Sequence, residues 1–399
     1  MAGTRSTRRT VGPGRKSAAL LLAGALSLIL ADALGAQGFR TRMRFQMGSL
    51  TEITVPDGQY SAQSVSRAFD VVDRLDRLLS TYKADSEVSR LAALGKLRVS
   101  PETMEIAEAS LRLARITGGA FNPMLGPVIA LWRQAEELGR LPSPEALEAA
   151  RTLADFERVE LDRAAGTIAF PVRGMGLNFG AIGKGFAVDK AAASLQRDGI
   201  RMALVTSGTS SHRLIGRPRG GACWELGIRH PGDAERAVTV LRLGPGGLAT
   251  SAQSGRPREI GGRIYGHIVD PRTGRPAEPR SPVWSASVLA PTATDADALA
   301  TALIVMEAAD GMALVESLPR VEALLVRRNP DGSPRLVWSS GLTQRGTLDG
   351  LPLIVPVTEI GCMDGGASSG PAGAAGEQAL RAQPKTQTGR PPPPALNRW

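Results

Sequence analysis

A mixed α/β, or α+β, fold is predicted by three features: apolar residues at helical spacing in several segments, short β-rich runs between them, and no repeat at a solenoid or propeller period. Residues 62–80 place Val65, Phe69, Val72, Leu75 and Leu79 on one helical face, and residues 101–116 form a second amphipathic helix behind Pro101. Further helices are expected at 181–197 and 294–307. Strands are expected from Gly48 to Val55, Arg158 to Asp162, Gly166 to Val172, Met202 to Thr206, Trp224 to Ile228, Val238 to Leu243 and Val283 to Leu289.

The 399 residues, 42% hydrophobic and 22% charged, suffice for one large domain or two modest ones. Aromatics are only 4%, so the core must rest on Ala, Leu, Val and Ile, and each aromatic near a ligand surface is informative. The net charge is +10, but its arginines spread along the chain and gather near both ends, without aromatic interleaving or a nucleic-acid motif. No nucleic-acid partner is expected, whereas phosphate-bearing ligands suit such a surface. Neither the two cysteines nor the three histidines stand at zinc-ligand spacing, which leaves a hard cation on oxygen ligands as the metal chemistry available.

Residues 1–36 have the pattern of a signal peptide: Arg5, Arg8, Arg9, Arg15 and Lys16, an apolar run from Ser17 to Ala31, and small residues around Gly35 and Ala36. The run is shorter than the roughly 18 apolar residues of a spanning helix, so an exported, periplasmic protein whose mature chain does not span the membrane is expected. Adjacent Arg8 and Arg9 fit a twin-arginine signal, although such pairs also arise by chance in a basic segment. The main domain is expected over 37–357. Residues 358–399, rich in Gly and Pro, are expected to be a disordered tail. A disulfide between Cys223 and Cys362 is allowed by export but not indicated.

Three segments can carry chemistry. In the first, Gly176-Leu-Asn178-Phe-Gly180-Ala181-Ile-Gly183-Lys184-Gly185-Phe-Ala-Val-Asp189, a glycine-rich turn enters a helix, offering backbone N–H groups and the Lys184 charge to an anion. It is not a nucleotide P-loop, and taken alone it is better explained as a close helix–strand packing turn. The second runs from Thr294 through Asp295, Asp297, Leu299, Thr301 and Leu303 to Met306. At helical pitch Leu299, Leu303 and Met306 share one face while Asp297 and Thr301, four apart, share the other and can offer oxygen ligands to magnesium. Alternatively, Thr294 caps the helix and Thr301 is surface. The third is Tyr265-Gly-His267-Ile268-Val-Asp270-Pro-Arg272-Thr-Gly274-Arg-Pro276, a strand running into a turn, where a His near Asp and Arg suits phosphate chemistry or merely holds the backbone.

Together these segments resemble the Asp-Leu-Gly-Gly-Ile-Ala-Lys-Gly-Tyr-Ala-Val-Asp, Ala-Asp-Ala-Leu-Ala-Thr and Tyr-His-Ile-Asp-Pro-Arg-Thr-Gly signatures of the FAD:protein FMN transferases, the ApbE family. Further similarities follow in order: Met47-Gly48-Ser49, Ser80-Thr81-Tyr82, Ser86 to Leu91, Gly119-Ala120-Phe121-Asn122-Pro123 through to Trp132, and Thr250-Ser251. The resemblance spans roughly residues 43–310. It implies a single flavin transferase domain with a central cleft that binds FAD as substrate and Mg2+ on the pyrophosphate. Carried over position by position, Asp297 and Thr301 would be metal ligands through side chains and Ala181 through its carbonyl. Lys184 would meet phosphate, and Met47, Tyr82, Ala120, Phe121, Asn122, Asn178 and Ile268 would line the FAD site. His267 would be the proton acceptor as a Thr or Ser hydroxyl of an acceptor flavoprotein attacks the FMN phosphorus and AMP leaves. A subunit of a membrane redox complex is one such acceptor.

Departures from the family's pattern qualify what it implies. Asn178 stands where the family usually has Asp, Gly208-Thr209-Ser210 replaces Gly-Gly-Asp or Gly-Gly-Asn, and Ala252 replaces the Gly of Thr-Ser-Gly. Two other activities therefore stay open: an FAD pyrophosphatase that uses water as acceptor, and an exported flavin-binding protein without catalysis.

Overall fold

The computed structural model describes residues 38–218, 223–253, 258–277 and 283–342. The expected signal peptide, Cys362, the expected domain end at 357 and the expected tail lie outside them. In chain order the first half contains β1 (Phe39–Gln46), β2 (Ser49–Pro56), α1 (Ala62–Leu79), α2 (Glu87–Leu94), β3 (Lys96–Arg98), α3 (Pro101–Ile116), α4 (Gly126–Leu138), α5 (Pro144–Thr152), β4 (Glu160–Asp162) and β5 (Thr167–Ala169). After α6 (Gly183–Arg197) come β6 (Ala203–Ser207), β7 (Ser211–Ile215), β8 (Trp224–His230), β9 (Asp233–Leu243) and β10 (Gly246–Ala252). The remainder is β11 (Arg258–Ile260), β12 (Arg263–Tyr265), β13 (Val269–Asp270), β14 (Arg275–Pro276), β15 (Val283–Ala290), α7 (Ala293–Val305), α8 (Ala308–Ser317), β16 (Glu322–Arg328) and β17 (Pro334–Trp338).

Local signals set many of these boundaries. Ser61, Ser86, Ser100 and Ser143 open α1, α2, α3 and α5, each accepting a hydrogen bond from the backbone N–H three residues on. Such a cap is worth about 1 kcal/mol. The strand expected to begin at Arg158 begins only at Glu160, because Phe156–Arg158 forms a short 3-10 turn capped by Asp155.

One eight-stranded sheet organises the chain, in the order β1-β2-β6-β7-β10-β15-β16-β17. Spatial neighbours follow chain order and every pair is antiparallel, so the mixed fold resolves to α+β with helices inserted between strands. Both faces are covered. On one, Ile53, Val205, Ala249 and Val288 belong to a core shared with Leu195 of α6 and Leu299 and Leu303 of α7. On the other, Leu204, Leu214, Leu248 and Leu289 cluster with Trp224, Leu226 and Leu241 of the β8–β9 hairpin. A strand such as β6, buried along its whole length, therefore reads as a continuous run without alternation. Among the described residues, no helix is long and apolar enough to cross a membrane.

Candidate functional site

The glycine-rich segment ends where α6 begins. That helix has no side-chain cap of its own at Ile182; instead the Gly185 N–H donates to Asp297 Oδ2 of α7 at 2.9 Å. The N–H groups of Ile182 and Gly183 donate to the Phe179 carbonyl. The helix end expected to offer free donors to an anion is thus largely satisfied within the chain, and its positive dipole end faces a carboxylate. Gly185 is needed for this approach: a Cβ there would lie 2.1 Å from the Ala293 carbonyl oxygen and 2.8 Å from Asp297 Cβ. Gly247 of β10 meets the same helix start, where a Cβ would fall 2.2 Å from the Ala293 nitrogen.

Asp297 is only 2% exposed. A buried carboxylate with one hydrogen bond needs further compensation, and the Lys184 ammonium stands 3.8 Å from its Oδ1. One turn on, Thr301 Oγ1 lies 3.2 Å from the Asp297 carbonyl oxygen and 3.1 Å from Ser251 Oγ. The side chain of Thr301 is therefore held from two sides. The cap of α7 is Thr292, whose side chain accepts from the Asp295 N–H, and not Thr294 as the helix pattern allowed. Nor is the Asp297 face a solvent face, since α7 is buried almost all round.

Asn178 closes the turn ahead of α6: its Oδ1 accepts the Gly180 N–H at 2.8 Å and its own N–H donates to the Pro123 carbonyl at 2.7 Å. An amide oxygen does here what a carboxylate oxygen would do, so the turn survives the absence of Asp. Met47 sits at φ 50 in the β1–β2 turn, followed by Gly48 at φ 69. Two positive φ angles are what a two-residue primed hairpin turn requires, and the strain of a non-glycine residue there is concentrated at the cleft.

Met47, Tyr82, Ala120, Phe121, Asn122, Asn178, Ala181, Lys184, His267, Ile268, Asp297 and Thr301 all line one cleft of about 1200 Å³. The structure brings together every predicted site residue, from the first strand turn to the third turn of α7. Their means differ. Phe121 is buried, and Asn122 is occupied by the fold, its Nδ2 donating to the Ala154 carbonyl and its Oδ1 accepting from the Met124 N–H. Tyr82 is exposed, with the Arg133 guanidinium 5.4 Å from its ring centre. His267 precedes Ile268, whose carbonyl accepts the Ala277 N–H at 2.8 Å.

The acidic and basic members of the third segment do not join His267. Arg272 forms an ion pair with Asp270 at 2.8 Å and donates to the Val305 carbonyl at the end of α7, while Trp132 Nε1 donates to the Gly274 carbonyl. Asp270, Arg272 and Gly274 build the turn that follows His267.

Sequence reasoning missed several wall residues. Arg133 and Glu136 of α4, Arg258 and the tip of the β8–β9 hairpin from Arg229 to Asp233 all line the cleft, as does the Gly208-Thr209-Ser210 turn already marked as a departure from the family's pattern. Arg258 Nε stands 3.7 Å from Glu136, and burial lowers the proton affinity of its guanidinium. The hairpin tip is fixed by an edge contact of His230 on Trp284, whose ring also carries the Arg328 guanidinium at 4.9 Å. Only the three-residue spacing of Arg133 and Glu136 was visible beforehand, and it marks a helix face without saying what it faces. Oxygen donors from Asp297, Thr301 and the backbone are of the kind a hard cation takes, and among the described residues no three His, Cys, Asp or Glu side chains group together as metal ligands.

The ApbE family model matches residues 47–325. An FAD:protein FMN transferase of Treponema pallidum is 33% identical over 347 residues, covering 81% of this chain and 94% of the relative, and one of Vibrio cholerae is 32% identical over 276 residues, covering 68% and 81%. Among solved structures, the flavin transferase ApbE from Vibrio cholerae superposes with a TM-score of 0.66 at 28% identity, and the ApbE protein of Thermotoga maritima with 0.67 at 26%. The first alignment covers 76% of this chain and 98% of its counterpart, the second 76% and 97%. The family model spans well over half of the chain and a 33% identical relative covers 81% of it, so the chain belongs to the ApbE family.

Proposed function

We propose that this protein is an FAD:protein FMN transferase, moving FMN from FAD to a Thr or Ser hydroxyl of an acceptor protein and releasing AMP. The observation that carries the reading is the convergence of twelve residues, scattered from Met47 to Thr301, on one cleft whose innermost wall presents Asp297, Thr301 and Lys184 side by side. In the reaction the acceptor oxygen bonds to the FMN phosphorus, the bond from that phosphorus to the bridging oxygen breaks, and AMP departs with the bridging oxygen. His267 takes the hydroxyl proton on its imidazole. Lys184 offsets charge on the phosphate oxygens and is kept in place by Asp297. Magnesium, held by Asp297, Thr301 and the Ala181 carbonyl, would supply further neutralisation of phosphate charge when bound.

Tyr82 and Met47, which both line the cleft, provide apolar surfaces that a flat ring system needs. The basic amino terminus followed by an apolar run supports an exported protein, so the acceptor would be met outside the inner membrane.

The test is to incubate the chain from residue 37 with FAD and magnesium, with and without a small protein carrying the pattern Asp-Gly-x-Thr-x-Ser/Thr-Gly-Ala/Ser. Covalent FMN on the Thr, with equal AMP, is expected. AMP and free FMN in the presence of that protein, without labelling, would replace the transferase by a pyrophosphatase. Bound FAD with no AMP would leave a binding protein.

A further inference from the structure

At the crossing of α6 and α7 the two helix starts face each other, and each is closed by a carboxylate from the other helix. Asp297 of α7 accepts the Gly185 N–H. In the opposite sense Asp189, in the second turn of α6, accepts the Ala293 N–H at 3.1 Å, the Thr294 N–H at 2.8 Å and the Thr294 hydroxyl at 2.6 Å. Arg213 of β7 places Nε 3.5 Å from the same carboxylate and donates through Nη1 to the Pro291 carbonyl, immediately before the Thr292 cap.

Ordinary capping does not account for this arrangement. Thr292 already caps α7 with its own side chain, satisfying the Asp295 N–H. A local cap holds a helix end together but leaves the helix free to shift against its neighbour. Asp189 takes two further N–H groups of that first turn from another helix, at the cost of keeping a carboxylate only 17% exposed. Burial pushes this carboxyl above its usual range, against the opposing pull of Arg213 and the three hydrogen bonds. What is gained is placement. Ala293, Asp297 and Thr301 follow each other at intervals of four along one helix face, so fixing the first of them against α6 fixes the other two over the α6 start.

We propose that Asp189 is a positioning residue for the candidate metal site: by tying the first turn of α7 to α6 it sets where Asp297 and Thr301 stand. The inference rests on the reading of those two residues as magnesium ligands. Partners one shell behind a metal ligand commonly contribute 10- to 100-fold in metal affinity.

Asp189→Asn keeps the shape and one acceptor oxygen but loses the charge that faces Arg213. Val315→Ala, a buried position of α8 away from the cleft, serves as a control for loss of stability alone. The first readout is hydrogen exchange at the Gly185 amide, which Asp189 does not touch and Asp297 holds. Asp189→Asn should speed this exchange about tenfold or more at matched overall stability, and Val315→Ala should not. The second is Mn2+ titration of the metal-free protein, where Asp189→Asn should weaken binding about 10- to 100-fold and Asp297→Asn should weaken it further. Wild-type Gly185 exchange in Asp189→Asn would overturn the proposal. Wild-type Mn2+ affinity in Asp297→Asn would instead remove the metal reading, and the Gly185 exchange alone would then decide whether Asp189 positions Asp297. If Asp189→Asn does not fold, Thr294→Val removes one of the three hydrogen bonds, and a smaller shift in the same direction at Gly185 is expected; no shift there would count against the proposal.

Discussion

Asp297 and Tyr82 face the same cleft, yet the first is 2% exposed and the second 80%. Around Asp297 the wall is made of backbone: two helix starts packed so closely that neither Gly185 nor Gly247 has room for a methyl group, with carboxylates exchanged between helices. Around Tyr82 it is made of side chains: the Arg133 guanidinium lies over the ring, and Arg258 stands 3.7 Å from Glu136. The difference matches two tasks. Charge on a reacting phosphate must be met within fractions of an ångström, which a packed helix crossing secures, whereas a flat ring accepts a range of contacts on an adaptable surface.

If the packed wall is the chemical one, Asp297→Ala will reduce magnesium-dependent turnover by about 10³-fold or more, several kcal/mol of lost charge stabilisation. Turnover at the wild-type rate would move the chemistry to the exposed wall. Gly185→Ala tests the packing itself: with its new Cβ placed 2.1 Å from a carbonyl oxygen, it should cost about 3 kcal/mol of stability by denaturant melting, and an unchanged midpoint would show that α6 and α7 can slide apart.

The sheet beneath the packed wall should also respond to pH. His212 is buried in β7, its Nδ1 3.1 Å from Thr206 Oγ1, and burial, helped by the Lys184 charge, pushes its imidazole down to about 4. A histidine depressed on folding contributes stability that is fully present above its unfolded value of about 6.5 and is lost as pH falls through about 4. The full effect is about 3 kcal/mol. His212→Gln should flatten the fall in melting temperature between pH 7 and pH 4; an identical slope in the variant would mean that other groups carry the acid sensitivity. The smallest effect is expected on the exposed wall. Tyr82→Ala should raise the KM for FAD by about tenfold, the loss of one ring contact, with kcat nearly unchanged. A matching fall in kcat would show that this wall too positions the reacting atoms.

Much of this was legible before folding. The helices at 62–80, 101–116, 181–197 and 294–307 and the strands around 202–206 and 283–289 appear within a few residues of where the spacing puts them. β7, β10 and β16 were not foreseen, because strands buried on both faces lose the period-two signal that exposes them. The twelve candidate site residues rest mainly on segment resemblance; only Asp297 and Thr301, by their four-residue step, and Lys184, in its glycine-rich turn, carry a local signal of their own. Arg258 and the tip at Arg229 to Asp233 carry no such segment and reach the cleft only by tertiary placement.

What the sequence by itself determined is whatever acts over three or four residues: Ser caps, apolar helix faces, the Met47-Gly48 turn, the four-residue step from Asp297 to Thr301. These are fixed by backbone geometry and need no distant partner. Only the tertiary structure decided that Asp297 would close α6 from 112 residues away and that Asp189 would close α7 in return. The reason is that a carboxylate's charge does not specify its partner. The sheet does so, by bringing two helix starts together in the interior, where each buried polar group is paired by the opposite helix.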